Sequence, residues 1–150
     1  MTYQIIYSSE SATPMQIEDL EEILEHARRN NSRSGITGAL VYVDGVFLQI
    51  LEGDTKVVQE LMAKISRDVR HETVTVLKQG EIPAAIFPDW KMAYVSATSQ
   101  QVAKWAGLSG TTAIPDILSD MRSDPFKATQ VAQSILSVLA KEPNTGSTAE

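Results

Sequence analysis

Apolar and polar positions along the chain change their period several times, and each change marks an element. Residues 3–8 (YQIIYS) are β-branched and aromatic and run into the polar Ser9-Glu10-Ser11, which predicts a strand and then a loop. Thr13-Pro14-Met15-Gln16 places a capping Thr, a Pro at the first helical position and a Gln three residues past the cap. Ile17, Leu20, Ile23, Leu24 and Ala27 follow at helical spacing, Glu18, Asp19, Glu21, Glu22 and Glu25 take the other face, and Arg28-Arg29 suit the negative end of the helix dipole. That helix is expected to end near Asn30-Asn31. Two strand-like runs, 36–43 and 46–51, flank Asp44-Gly45, a dipeptide that favours a two-residue type I′ hairpin. Setting Val43 against Val46 puts Leu40 opposite Gln49 and Tyr42 opposite Phe47, so Leu40, Tyr42, Phe47, Gln49 and Leu51 share one face. Asp54 is placed to cap a second helix with the inward stripe Val57, Val58, Leu61, Met62 and Ile65, running to Asp68. Residues 73–77 (TVTVL) and 90–95 (WKMAYV) predict two further strands, joined by the Pro-containing loop 82–89.

The order β-α-β-β-α-β with a fifth strand predicts an α+β, ferredoxin-like fold, in which two helices cover one face of a mixed sheet and the first strand lies centrally. Beyond residue 97 the pattern is helical. A short helix is expected at 113–121, and a longer one opens at Asp124-Pro125 with Ala128, Val131, Ala132, Ile135, Leu136 and Leu139 along one side. Residues 143–150 (PNTGSTAE) read as a disordered tail. The expected organisation is a compact domain over 1–97, a C-terminal helical extension over 98–142, and that tail.

Composition narrows the chemistry. With 150 residues, 43% of them hydrophobic, the chain is sized for one domain with a real core. It has no cysteine, which removes disulfides, thiolate nucleophiles and Cys-ligated metals, and His26 and His71 are its two imidazoles, so no metal site is expected. A formal charge of −6 speaks against a general nucleic-acid binder. No apolar run approaches the ~20 residues that span a bilayer, so the expectation is a cytoplasmic protein with no membrane partner.

The informative anomaly is Gln49 inside FLQIL, because a buried amide without partners costs about 1–3 kcal/mol. Tyr7, on the central strand, is the obvious partner, since its hydroxyl needs one too. A core Gln satisfied by that Tyr or by backbone explains the same residues without any ligand. Asn30 and Asn31 offer carboxamides suited to an imide or pyrimidine edge, or else they cap the first helix. Lys64, Asp68, Arg70 and His71 gather at the end of the second helix, where they suit either the helix dipole or a phosphate. Trp90 and Met92 stand two apart and on a strand would face one side, as core or as part of a site. No nucleophile elbow, Walker loop or dinucleotide fingerprint is present, and no catalytic residue is assigned.

Taken in order, IIYSS, RRNNSRSGITGAL, DGVFLQILEG, RDVRH and FPDWKM resemble the successive signatures of the BLUF family, blue-light sensors that use flavin. The resemblance covers roughly residues 1–97, with one mild departure at Val69, where proline or glutamate is more usual. It implies FAD or FMN between the two helices, with Asn31 and Asn30 on the polar edge of the flavin and Gln49 linking that edge to Tyr7. It further implies Lys64, Asp68, Arg70 and His71 on the ribityl and phosphate side, and Trp90 and Met92 on the responsive strand beside Gln49. The implied activity is non-enzymatic light sensing by proton-coupled electron transfer among Tyr7, Gln49 and flavin, leaving a rearranged hydrogen bond.

Two other classes are compatible with the residues. A small flavin-dependent oxidoreductase would need an open flavin face and would oxidise NAD(P)H; a cofactor-free ferredoxin-like interaction module would purify colourless. The residues after 97 are too few for a cyclase or phosphodiesterase domain, which leads to the expectation of a short stand-alone receptor. The longer C-terminal helix, with its stripe Val131, Ile135 and Leu139, can pack on the exposed face of the sheet and still present a surface to another chain, so a homo-oligomer that signals to a separate downstream protein is expected.

Overall fold

The computed structural model describes residues 2–11, 15–67, 71–108, 110 and 113–141. Five strands, β1 (Thr2–Ser11), β2 (Thr37–Val43), β3 (Val46–Gly53), β4 (His71–Ile82) and β5 (Ala93–Ser96), form one sheet in the order β4-β1-β3-β2-β5. The first four pair antiparallel and β5 joins β2 in parallel, so the sheet is mixed, with β1 inside it. The two helices of the βαββαβ unit, α1 (Ile17–Ser34) and α2 (Thr55–Ser66), cover one face over Ile5, Tyr7, Leu40, Phe47 and Leu51. Three C-terminal helices, α3 (Ser99–Trp105), α4 (Ile114–Ser123) and α5 (Pro125–Lys141), close the other face over Ile6, Val41, Leu48 and Ile50. This is the expected α+β arrangement.

The hairpin follows from its turn. Asp44 and Gly45 both take positive φ, 49° and 77°, as a type I′ turn requires, and Val43 pairs with Val46, Tyr42 with Phe47 and Leu40 with Gln49. The Tyr42 and Phe47 rings meet across the strands with centroids 5.1 Å apart. Gly38 is required by close approach: a Cβ there would lie 1.8 Å from the Ile50 carbonyl oxygen.

Several boundaries differ from the sequence reading for identifiable reasons. Thr13 and Pro14 lie outside the described residues, and α1 is capped by Gln16, whose side chain and that of Asp19 form a reciprocal capping box. The helix passes Asn30 and Asn31 and stops at Gly35, whose φ of 74° lets its N–H close on the Asn31 carbonyl at 2.9 Å, so the two asparagines are not its cap. Ile17, expected on the inward stripe, is 72% exposed because it opens the first turn. β4 runs five residues beyond Leu77, since Lys78, Gln79, Gly80 and Glu81 complete pairs with β1 on an edge strand that tolerates polar side chains. β5 starts only at Ala93. α3 was not anticipated, although Thr98-x-x-Gln101 is a capping box and the structure uses it as one. The tail 143–150 lies outside the described residues.

The stripe Val131, Ile135 and Leu139 is fully buried against the sheet, in the same apolar cluster as Ile6, Val41 and Ile50. It packs α5 on the sheet, as expected of this helix, so a second chain would meet other residues of α5. α3, α4 and α5 thus share a core with the sheet.

Candidate functional site

Gln49 and Tyr7 owe their meeting to strand register. They face each other as Cα partners in the β1–β3 ladder, both on the side covered by α1 and α2. Tyr7 is fully buried and Gln49 nearly so, and the Tyr7 hydroxyl donates to Gln49 Oε1. The other end of the amide, Nε2, is turned to Met92, whose Sδ lies 3.4 Å away. A buried carboxamide is therefore held between a phenol and a thioether, and the thioether is the weaker partner. That leaves the Nε2 end of Gln49 the less firmly held.

A cleft of about 180 Å³ opens beside this pair, between α1 and α2. Its walls are Ile23 and Ala27 of α1, Leu61 and Ile65 of α2, and Leu40, Phe47 and Leu51 of the sheet; the four helical residues are half-buried. Asn30, Asn31, Gln49, His26 and Lys64 supply its polar lining. Asn31, 2% exposed, donates from Nδ2 to the Lys91 carbonyl at 2.5 Å, while Arg28 Nε donates to the Met92 carbonyl at 3.1 Å. α1 thereby holds the backbone just before β5. Tyr94, beside Leu40 in the β2–β5 ladder, has its phenol pKa pushed above 10.0 by burial, so it stays a neutral donor at ordinary pH.

Of the residues singled out in the sequence, Tyr7, Gln49 and Met92 touch, and Asn30, Asn31 and Lys64 line the same cleft with exposed Asn30 and Lys64 at its outer side. Trp90 departs from expectation: it packs against the opposite apolar cluster, away from Met92. Residues 90–92 are not yet strand, so the alternation that would put both on one face does not apply. Asp68 and Arg70 lie outside the described residues, as does the His71 side chain; the His71 backbone pairs with Ser11. His26 was missed as a lining residue, yet Ile23, His26, Ala27 and Asn30 repeat at helical spacing along the cleft. Among the described residues, no group of three His, Asp or Glu is arranged to hold a metal ion, and no helix is long and apolar enough to cross a membrane.

Residues 2–93 match the family model described as BLUF, sensors of blue-light using FAD. The chain belongs to the BLUF family. It is 33% identical over 118 residues, 78% of its length, to the photoactivated adenylate cyclase subunit beta of Euglena gracilis, and 33% identical over 94% of its length to the alpha subunit of that organism. It spans 13% and 12% of the length of those two proteins. Among solved structures, the dark-state BLUF protein BlrB matches with a TM-score of 0.72 at 28% identity, covering 92% of this chain and 97% of that one. Ground-state BlsA matches with a TM-score of 0.68 at 27% identity, over 99% of this chain and 91% of its own. The family to which the chain belongs is thus one of blue-light sensors that use flavin.

The donor set fits a flavin. A flat tricycle with an apolar benzenoid end and a polar imide edge needs greasy walls and a few convergent carboxamides, and the cleft has both.

Proposed function

We propose that the chain senses blue light through a flavin, FAD or FMN, held in the cleft between α1 and α2, with Asn31 and Asn30 on its imide edge and Lys64 at the phosphate side. Asp68, Arg70 and His71, which follow α2 in the chain, are proposed for the ribityl and phosphate groups. Bound flavin supplies the blue absorption and a strongly oxidising excited state. The rest is done by this chain's residues. Tyr7 is the donor of an electron and of its phenolic proton, and the proton moves along the existing hydrogen bond to Gln49 Oε1. When Tyr7 regains both, the Gln49 amide is left rearranged. Its weak bond to Met92 Sδ is the contact that yields, and this couples the amide to the segment entering β5, with Trp90 and Met92 as the responsive residues. The single observation that carries the reading is the buried Tyr7–Gln49 pair opening onto an apolar cleft with Asn31 beside it.

The reading also assigns the output to protein contacts, with a second copy of the chain or with a downstream signalling protein, and no enzymatic activity to the sensor itself. The test is a light-minus-dark absorption spectrum of the purified yellow protein, followed by light scattering in the dark and under blue light. A reversible red shift with a light-dependent change in assembly supports it; photoreduction or NAD(P)H oxidation would place the protein among flavin oxidoreductases.

A further inference from the structure

A second polar cluster lies buried on the far face of the sheet, beneath the C-terminal helices. Gln4 and Glu52 stand opposite each other in the β1–β3 ladder, and both are fully buried. Gln4 Nε2 donates to Glu52 Oε2 at 3.1 Å, and Lys78 Nζ donates to Gln4 Oε1 at 2.6 Å. The other bonds to Glu52 come from the chain that leaves β4: the Ile86 N–H donates to Oε2 at 3.0 Å and the Phe87 N–H to Oε1 at 2.8 Å. Burying a carboxylate beside Ile, Leu and Val is costly, and apolar residues of similar volume commonly serve stability as well or better. What Glu52 provides instead is a fixed place for two backbone amides.

Those amides begin the segment that ends at Gln49. From Phe87 the chain turns, with the Trp90 N–H closing on the Phe87 carbonyl at 3.2 Å. The Trp90 carbonyl then takes the Gly38 N–H at 3.0 Å, and Met92 meets Gln49 Nε2. Gln49 and Glu52 lie three residues apart on β3 and point to opposite faces, so one strand grips the two ends of residues 86–92 from both sides of the sheet.

We propose that Glu52 is a positioning residue for light sensing: it fixes the start of the 86–92 segment, and through it the placement of Met92 against Gln49. It thereby sets how readily the two arrangements of the Gln49 amide interconvert. The assignment rests on the reading of Gln49 as the switching residue.

Glu52→Gln keeps the shape of the side chain but turns one acceptor oxygen into an NH2 facing an N–H donor, so one charge-assisted bond is lost. The experiment uses the full chain with its flavin and reads flavin content, the light-induced red shift and the thermal dark-recovery rate. The expected result is flavin retained and a recovery rate altered by more than about threefold, as loss of one such bond in one of two states allows. A rate within that limit overturns the proposal. Ile135→Val, which loosens the same apolar cluster but removes none of the bonds to Glu52, is the control. An equal change in that variant would mean general loosening and would also overturn it. Should Glu52→Gln not fold, amide exchange on the wild-type chain decides: Ile86 and Phe87 are expected to be protected like the β3 amides in the dark, and exchange as fast as an exposed loop overturns the assignment. A wild-type chain with no light-induced shift contradicts the sensing reading as a whole, whereas a shifting wild type with an unaltered E52Q contradicts the Glu52 assignment alone.

Discussion

At the scale of single residues, the proposed light response rests on three side chains with separable roles, Tyr7 and Gln49 in the relay and Asn31 in binding. Tyr7→Phe removes the hydroxyl and Gln49→Leu the amide, and each leaves the walls of the cleft intact; both variants are expected to bind flavin and to lose the wild-type red-shifted state. A difference spectrum on each checks this, and an unchanged shift removes that residue from the mechanism. Asn31→Ala acts on binding instead and should weaken flavin affinity about tenfold, the worth of one hydrogen bond of about 1.4 kcal/mol, measurable by fluorescence titration. Tyr94 makes a pH prediction. Its folded pKa is raised above the ordinary 10.0, so the folded state keeps the proton longer than the unfolded chain, and its contribution to stability is lost as pH rises above that value. Denaturant titrations of wild type and Tyr94→Phe from about pH 8 to 11 should show wild type losing stability relative to the variant as pH rises. Lys78, pushed below 10.5 mainly by burial, titrates with the opposite sign, but it does so in both proteins and cancels. The Tyr7–Gln49 contact was legible because a polar residue in an apolar run demands a partner. Gln4 and Glu52 pair in the same ladder, but each stands near an end of its strand, close to Thr2 and beside Gly53, where a polar residue reads as an exposed strand terminus rather than as an anomaly.

At the scale of elements, the hairpin and both sheet-covering helices were readable because turn chemistry and periodicity agree there. The connection from β4 to β5 was not. Lys78-Gln79-Gly80-Glu81 looks like loop, but an edge strand paired on one side accepts it, and residues 90–92 look like strand while being held by Asn31, Arg28 and Gly38 through side chains and a single backbone bond. Tertiary contacts decide both cases. Gly38 is the tightest point in this region, and Gly38→Ala cannot be relieved by rotating a side chain because the obstacle is the Ile50 carbonyl. The variant is expected to lose about 2–4 kcal/mol of stability or to fail to fold, checked by chemical denaturation. A loss under about 0.5 kcal/mol would show that β2 and β3 can part there without consequence.

At the scale of the whole molecule, the sheet has two separate apolar faces: one lines the cleft between α1 and α2 and the other is closed by α3, α4 and α5. The amphipathic pattern of α5 was plain in the sequence, but periodicity states that a face is apolar without naming what covers it. The structure spends that face on the sheet. Ile135→Ala should therefore cost about 2–4 kcal/mol in unfolding free energy while leaving the flavin spectrum in place, because the cavity it creates is on the far side of β3. The central claim, that Tyr7 and Gln49 convert blue light into a rearranged hydrogen bond at flavin, is tested most directly by one absorption measurement on the purified protein. The account predicts that the flavin band moves slightly to the red under blue light and returns in darkness with no loss of intensity. A band that bleaches, or one that does not move, would contradict it.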